Sequence, residues 1–271
     1  MSSGFVDIDW AGRPVHIEHV LIAPERASAP LLVFLHEGLG SVSMWRDFPQ
    51  RLCDAAGCRG LVYSRPGYGG STPRAPDEAW RTDFMHRQAD EVLPALLEAL
   101  DIDTTRHRPW LLGHSDGGSI ALLHAAHFPQ RVAGAIVLAP HILVEDLSLA
   151  SIEEARIAYQ AGALRPGLDR HHDDPDSAFW GWNGVWLSPA FRDWNITAEI
   201  ATITCPLLAV QGVDDVYGTM EQIRGIARTV AQTVLLELED CGHSPHRDQP
   251  ALLIAAVRNF LHNHHRQETN P

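Results

Sequence analysis

Six short apolar runs, separated by longer segments with helical spacing, constrain the fold of this chain more than any other feature of its sequence. Each run is continuous and bounded by glycine, proline or charged residues, which is typical of strands buried on both faces of a sheet. Strands that alternate with helices predict an α/β fold with a doubly wound, mainly parallel sheet, whose functional groups collect at the carboxyl ends of the strands. The runs are LLVFL (31–35), GLVYS (60–64), WLLGH (110–114), GAIVLA (134–139), PLLAVQ (206–211) and TVLLEL (233–238).

Two regions depart from this alternation. Near the N-terminus, FVDIDW and VHIEHVLI alternate apolar and polar residues around the turn-like AGRP, which predicts an antiparallel hairpin with one solvated face. Residues 141–200, between the fourth and fifth runs, contain helical and aromatic stretches but no convincing buried strand. Because 271 residues lie near the upper size of a single domain, we expect one core, residues 1–140 and 201–271, with 141–200 inserted outside the sheet.

The composition narrows the class of partner and the environment. A formal net charge of −13 argues against nucleic acid, whose binding requires a clustered positive surface. The sequence has no run of 18 apolar residues and no basic segment leading into an apolar stretch at its start, so we expect a cytoplasmic protein without a membrane partner. Four cysteines without CxxC spacing predict buried free thiols rather than a disulfide framework or a zinc site. Assembly into a homo-oligomer stays open.

The stretch GHSDGG (113–118) lies where the third apolar run ends and a helical pattern begins. A serine at such a strand-to-helix turn holds its hydroxyl at the sheet edge, beside the N–H groups of the helix N-terminus. Glycines at 113, 117 and 118 allow the turn to be tight, because a side chain there would collide with the helix or the neighbouring strand. The position, more than the pattern alone, predicts that Ser115 is a nucleophile.

A serine nucleophile needs a base to take its proton and a carboxylate to orient that base. Asp214 and Asp215 follow PLLAVQ, and His243 follows TVLLEL, so these side chains lie just past the carboxyl ends of predicted strands. The order serine, aspartate, histidine is the one expected for this layout. The spacing leaves both aspartates open as the acid.

Five ordered motifs at these strand ends resemble those of α/β-hydrolase fold enzymes, in the lineage that includes meta-cleavage-product hydrolases, carboxylesterases and enol-lactonases. The resemblance covers nearly the whole chain and is far more specific for the superfamily than for the reaction. It implies that the acid is Asp215, three residues after Gly212, and that the base is His243 of a Gly-His pair, with His246 at a helix cap or pocket edge. The motifs are LHEGLGSVSMW, YSRPGYGGS, GHSDGG, QGVDDVYG and CGHSPH.

The resemblance also implies two backbone N–H donors for the oxyanion that forms during acyl transfer. One is the N–H of Asp116, directly after the nucleophile, and the other is that of Gly38 in the HEGLG loop. The sequence departs from the family at Glu37, where a glycine normally follows the histidine. Glu37 leaves the shape of this loop open and is expected to add a carboxylate near the pocket.

In enzymes of this fold, an insertion at the position of residues 141–200 commonly forms a cap over the nucleophile. Its many aromatic residues suit either the packing of a small subdomain or a pocket for an acyl or aromatic substrate. For Trp45, near the HEGLG loop, a place in the core is as compatible with the sequence as a place in the pocket wall. The predicted pocket residues are Glu37, Trp45, His114, Trp182 and Trp186.

The insertion also carries four arginines. Each is a candidate for pairing with a substrate carboxylate, but pairing with the insertion's own acidic residues is favoured for each, and none is assigned to the substrate. These arginines are Arg156, Arg165, Arg170 and Arg192.

Together these residues predict a serine hydrolase that cleaves a carboxylic ester, lactone or thioester of a small acyl or aromatic substrate, without a metal or organic cofactor. Epoxide hydrolases and haloalkane dehalogenases of this fold use an aspartate nucleophile, so Ser115 argues against both. Hydrolases of C–C bonds in aromatic degradation commonly carry asparagine just before the serine, where this chain has His114. A C–C hydrolase and a non-catalytic small-molecule receptor of the same fold remain the alternatives.

Overall fold

A single eight-stranded sheet organises the part of the chain that the computed structural model describes, residues 2–75 and 77–268. The strands are β1 (Ser2–Trp10), β2 (Arg13–Ile22), β3 (Leu31–Leu35), β4 (Arg59–Tyr63), β5 (Trp110–His114), β6 (Gly134–Leu138), β7 (Leu207–Gly212) and β8 (Thr233–Leu238). Their order is β1-β2-β4-β3-β5-β6-β7-β8, and strands β3 to β8 pair in parallel. The predicted mainly parallel sheet is confirmed.

The N-terminal hairpin is also confirmed. Strands β1 and β2 pair antiparallel from Ser2 opposite Leu21 to Trp10 opposite Arg13. Ala11 and Gly12 connect them with φ angles of 56° and 76°. Two positive φ values in a two-residue connection twist the strands in the hand that a hairpin requires.

Helices cover both faces of the sheet. Side chains alternate along a strand, so Val33 and Leu111 belong to one apolar layer and Phe34 and Leu112 to the other. The helices are α1 (Phe48–Ala56), α2 (Phe84–Arg87), α3 (Leu93–Ala99), α4 (Asp116–His127), α5 (Asp146–Gln160), α6 (Arg165–Leu168), α7 (Pro175–Trp186), α8 (Thr197–Ile200), α9 (Glu221–Thr229), α10 (Pro245–Asp248) and α11 (Pro250–Glu268).

The prediction for the last strand was wrong in one respect. TVLLEL forms β8, but it is the edge strand beside β7 rather than a strand buried on both faces. Val234 is 47% exposed and Leu235 is 37% exposed. An apolar run alone does not distinguish an edge strand from a central one, because both can be rich in β-branched and aliphatic residues.

Residues 141–200 follow β6 and precede β7, as a helical excursion from the sheet. They contain α5 to α8 and, apart from an isolated bridge between Leu143 and Asn195, no strand. Two backbone hydrogen bonds flank this bridge, from Val144 N to Trp194 O at 3.2 Å and from Ile196 N to Ile142 O at 2.8 Å. The two ends of the insertion are therefore joined to each other.

Candidate active site

Ser115 occupies a sharp turn between β5 and α4. Its φ is 53° and its ψ is −120°, a backbone conformation that is costly for a residue with a side chain. A Cβ at Gly113 would lie 2.1 Å from the carbonyl oxygen of Gly117, and one at Gly117 would lie 2.1 Å from that of Leu35. Only glycine fits at either position, so the two glycines allow the turn to close.

Three of the predicted residues form a hydrogen-bonded chain at the carboxyl edge of the sheet. His243 Nε2 lies 3.0 Å from Ser115 Oγ, and His243 Nδ1 lies 2.8 and 2.9 Å from the two carboxylate oxygens of Asp215. An ionised carboxylate only accepts, so Nδ1 carries the proton and Nε2 is free to accept the serine proton. The arrangement gives the serine a base and gives the base an orienting acid.

The structure also separates the two candidate acids. Asp215 is buried, and its carboxylate accepts further hydrogen bonds from Tyr217 N at 2.8 Å and Gln211 Nε2 at 3.2 Å. Burial alone would raise the pKa of Asp215, but the hydrogen bond and charge of His243, with the Tyr217 N–H, lower it. Asp214 is exposed, so Asp215 is the aspartate that faces His243.

Gly38 and Asp116, the predicted oxyanion donors, line one cavity together with Ser115. Asp116 is the first residue of α4, so its N–H has no helical carbonyl to bond. A Cβ at Gly38 would lie 2.2 Å from Trp182 Nε1. The Trp182 indole, which belongs to the insertion, thus packs directly on the backbone of the HEGLG loop.

A buried arginine, which no clear signal in the sequence marks, fixes the shape of this loop. Arg65 is fully buried, and its Nη2 donates to the carbonyl oxygen of Glu37 at 2.8 Å. Its backbone N–H donates to His36 Nε2 at 3.0 Å, which leaves His36 Nδ1 as the donor to the Glu37 carbonyl at 2.7 Å. Burial and the charge of Arg65 lower the pKa of His36 well below its ordinary value, so His36 stays neutral.

Glu37 and His114 also line the cavity, and they face each other. His114 Nε2 donates to the backbone carbonyl of His243 at 2.7 Å, and its Nδ1 lies 3.4 Å from Glu37 Oε2. Burial would raise the pKa of Glu37, but the contact with His114 and the charges of His114 and Arg247 hold it well below its ordinary value. Glu37 is therefore an ionised carboxylate at the edge of the cavity.

Asp116 adds a second carboxyl group to the cavity lining. Its Oδ1 accepts a hydrogen bond from Trp186 Nε1 at 3.1 Å, and no described residue bonds its buried Oδ2. Burial raises the pKa of Asp116 to about 6, although the charge of Arg65 and the Trp186 hydrogen bond act in the opposite direction. The side chain after the nucleophile is thus tied to a tryptophan of the insertion.

The cavity has a volume of about 120 Å³ and lies between the sheet edge and the insertion. Trp182 and Trp186 line it as predicted, whereas Phe179 and Phe191 pack inside the insertion and Trp180 is 36% exposed. Aromatic residues of the insertion therefore serve both for packing and for the pocket wall.

Among the lining residues that were not predicted, His141 and Tyr217 have rings beside that of His243. The His141 ring lies 6.0 Å from that of His243, and the Tyr217 ring lies 4.8 Å from it. Burial, with the nearby charge of His243, lowers the pKa of His141 to about 3. Their positions just past β6 and β7 are a signal that could have found them.

Trp45 does not line this cavity, so its assignment to the pocket was wrong. The 3-10 turn Ser43–Trp45 directs the indole into the apolar layer, where its ring lies 5.7 Å from that of Phe34. His246 lies beside it at 4.9 Å, and burial lowers the pKa of His246 to about 2. His246 is thus a buried neutral histidine rather than a helix cap, since α10 begins after Ser244.

The arginines of the insertion do not line the cavity. Three of them form ion pairs with acids of the same insertion: Arg156 with Glu153, Arg165 with Asp176, and Arg192 with Asp146, each at 2.6 Å. Arg170 lines a neighbouring cavity instead.

Neither a metal centre nor a membrane helix is found in residues 2–75 and 77–268. No three His, Cys, Asp or Glu side chains in these ranges are arranged to hold a metal ion. None of the described helices combines the length and apolar character needed to span a bilayer. All four cysteines are buried and unpaired.

Residues 32–256 match the sequence model of the alpha/beta hydrolase family. The chain belongs to this family. The match extends from β3 into α11, and it includes the insertion and each residue of the hydrogen-bonded chain at Ser115.

Relatives within the family carry several different activities. The chain is 29% identical over 265 residues to a Pseudomonas syringae pv. syringae protein named as a carbamate hydrolase, RutD, covering 90% of this chain and 98% of that protein. It is 24% identical over 284 residues to a proline iminopeptidase of Lactobacillus helveticus, covering 90% and 93% of the two chains. These relatives are named for hydrolytic reactions at different bonds.

The fold is shared with solved structures. A thermophilic esterase from Thermogutta terrifontis superposes with a TM-score of 0.74 at 20% identity, covering 98% of this alpha/beta hydrolase and all of the esterase chain. At this identity the similarity shows the fold alone.

Proposed function

We propose that this alpha/beta hydrolase is a serine hydrolase that cleaves a carboxylic ester, lactone or thioester of a small acyl or aromatic substrate through an acyl-enzyme intermediate. The observation that carries the proposal is the chain of hydrogen bonds from Ser115 through His243 to Asp215 at the wall of a cavity. A serine hydroxyl with such partners gains a general base at neutral pH.

Each proposed residue has one step in this reaction. Ser115 Oγ attacks the carbonyl carbon while His243 Nε2 takes its proton, and the N–H groups of Gly38 and Asp116 bond the resulting oxyanion. The tetrahedral intermediate collapses, the bond to the leaving oxygen or sulfur breaks, and His243 gives its proton to the leaving group. A water then repeats the attack on the acyl-enzyme, which releases the acid and restores Ser115.

The cavity limits the size and charge of the acyl group. Its volume of about 120 Å³ is small beside the roughly 300–1,000 Å³ of pockets for drug-sized ligands. The carboxylates Glu37 and Asp116 line it, whereas the arginines of the insertion are turned elsewhere. We therefore expect the part of the acyl group that lies in this cavity to be short and uncharged, with the insertion 141–200 acting as the cap over it.

The test is the release of nitrophenol from short, medium and aromatic 4-nitrophenyl esters by the wild type and by Ser115→Ala. We expect turnover in the wild type, fastest with short acyl chains, and none above background in the variant. Circular dichroism of both proteins establishes that they are folded.

The outcome separates this proposal from its alternatives. If the folded wild type hydrolyses no ester, or if Ser115→Ala keeps the wild-type rate, serine ester chemistry is overturned. A vinylogous diketone of the kind formed by ring cleavage is then the next substrate to test. Tight binding of a small molecule without turnover would instead support the receptor alternative.

A further inference from the structure

A second cavity adjoins the catalytic one, and its walls are basic. It has a volume of about 230 Å³, and Leu39 lines both cavities. We call it the arginine pocket, defined by Arg46, Arg170, Arg247 and His171 with apolar walls from Leu39, Met44, Leu164, Gly167 and Leu168. None of the described residues that line it carries a carboxylate.

This concentration of positive charge is unusual for the chain, which has a net charge of −13. Among the described residues, neither Arg46 nor Arg170 forms an ion pair. Arg247 donates to the carbonyl oxygen of Met44 at 3.2 Å and lies 3.5 Å from Glu37 Oε1. Burial lowers the pKa of His171, and the charges of all three arginines lower it further, so all three act on one imidazole.

The pocket joins the insertion to the sheet domain. Arg170 and His171 come from the insertion, whereas Arg46 follows the 3-10 turn Ser43–Trp45 and Arg247 lies in α10 of the core. His171 Nδ1 lies 2.8 Å from Ser43 Oγ, and His172 Nε2 donates to the carbonyl oxygen of Leu39 at 3.0 Å. These two hydrogen bonds fasten the segment that carries Arg170 to the core, so its position relative to Arg46 and Arg247 is set by the fold, although the three arginines themselves are exposed.

We propose that the arginine pocket binds an anionic group, a phosphate or a carboxylate, at the end of the substrate remote from the bond that is cleaved at Ser115. Guanidinium groups match the oxygens of both anions with paired hydrogen bonds. Leu39 lies between the two cavities, next to Gly38, so a substrate chain that passes Leu39 has its carbonyl at Ser115 and its anionic end at the arginines. This proposal rests on the proposed function only for the position of the cleaved bond.

Two matched substrate pairs test the pocket and identify the anion's position. Butyryl-coenzyme A and S-butyryl-N-acetylcysteamine share one thioester but differ in phosphates on the leaving group. Mono-4-nitrophenyl glutarate and 4-nitrophenyl pentanoate share one leaving group but differ in a carboxylate on the acyl end. The variants are Arg46→Gln, Arg170→Gln and their combination. Arg156→Gln, which removes one charge from a paired arginine of the insertion, is the control for each single variant.

We expect the wild type to prefer the charged member of one pair. The combined variant should lose about tenfold or more in kcat/KM for that substrate and less than about twofold for its neutral partner, with Arg156→Gln like the wild type. Isothermal titration with coenzyme A and with glutarate measures binding without turnover. The anion that corresponds to the preferred substrate should bind more weakly to the combined variant and at high salt.

The results distinguish the two proposals. Anion binding that depends on Arg46 and Arg170, in a protein that hydrolyses nothing, leaves the pocket standing and overturns the proposed function. Ester hydrolysis without preference for either charged substrate, together with no titration signal, overturns the pocket. An equal loss in Arg156→Gln overturns it as well, because the effect would then be one of general charge.

Discussion

Glu37 and His114 are in contact, with 3.4 Å between Glu37 Oε2 and His114 Nδ1. In the sequence, Glu37 stands where the family normally has glycine, and His114 stands where C–C hydrolases commonly have asparagine. The structure brings these two unusual residues together beside His243, since His114 also donates to the His243 backbone carbonyl. The pair links the HEGLG loop to the loop that carries the proposed base.

We predict that Glu37→Gln lowers kcat about tenfold, with a smaller change in KM, because neutralising this carboxylate weakens the orientation of His114. A tenfold loss in kcat corresponds to about 1.4 kcal/mol of activation free energy. His114→Ala should have a larger effect, since it leaves the His243 carbonyl without its donor. Steady-state kinetics of both single variants and the double variant measure the coupling. Glu153→Gln, which removes a surface carboxylate paired with Arg156, is the control; additive effects of Glu37→Gln and His114→Ala would contradict the pairing.

Asp215→Asn should reduce kcat by about 10⁴, the loss typical when the acid of such a triad becomes an amide. The amide can hold His243 in the wrong tautomer, with the proton on the nitrogen that must accept from Ser115. Asp214→Asn is the matched control, because Asp214 is the exposed neighbour, and it should stay within about twofold of the wild type. Equal losses in the two variants would remove Asp215 from its proposed role.

Asp116→Asn should stabilise the protein at pH 8 but not at pH 4. The folded pKa of Asp116 is about 6, above its ordinary value of 3.8, so the unfolded state releases this proton more readily. The contribution of Asp116 to the free energy of unfolding is therefore fully present below pH 3.8. It is lost as the pH rises from 3.8 through 6, by up to about 3 kcal/mol. Urea unfolding at the two pH values measures the difference, and an equal gain at both would show that ionisation of Asp116 is not its cause.

Gly113→Ala should destabilise the fold by about 3 kcal/mol or more, because the new Cβ would lie 2.1 Å from the Gly117 carbonyl oxygen. Gly184→Ala is the opposite case, since Gly184 lies in α7 and a Cβ there meets nothing within 4 Å. It should stabilise the fold by about 0.5–1 kcal/mol. Thermal unfolding followed by circular dichroism measures both changes, and a neutral Gly113→Ala would mean that the turn relaxes.

The sequence predicted the sheet well because burial in a parallel sheet leaves a direct trace, a continuous apolar run. LLVFL and β3 have the same bounds, and GAIVLA ends one residue beyond β6. The edge position of β8 was not predictable in this way, because strand order depends on which helices cross over which face. Glycines and strand ends mark the positions of Ser115 and His243 in the chain, whereas the choice of Asp215 over Asp214 rested on the resemblance to the family.

The residues that sequence reasoning missed or misplaced depend on contacts made far along the chain. His141 and Tyr217 meet His243 only when three strand ends come together. Trp45 carries no local signal that distinguishes a cavity wall from a core position, and here its ring packs against Phe34. Arg65 lies fully buried beneath the HEGLG loop although arginine is ordinarily a surface residue.

The bridge between Leu143 and Asn195 has a consequence for how this hydrolase can diversify. Because the insertion leaves and re-enters the sheet at one closed junction, the length and sequence between those residues can change without altering the spacing of β6 and β7. We therefore expect substitutions in that excursion to change the cavity wall that Trp182 and Trp186 form, while Ser115, Asp215 and His243 stay at the strand ends that carry them. The aromatic wall of the cavity and the three residues of the hydrogen-bonded chain therefore lie in different stretches of the sequence.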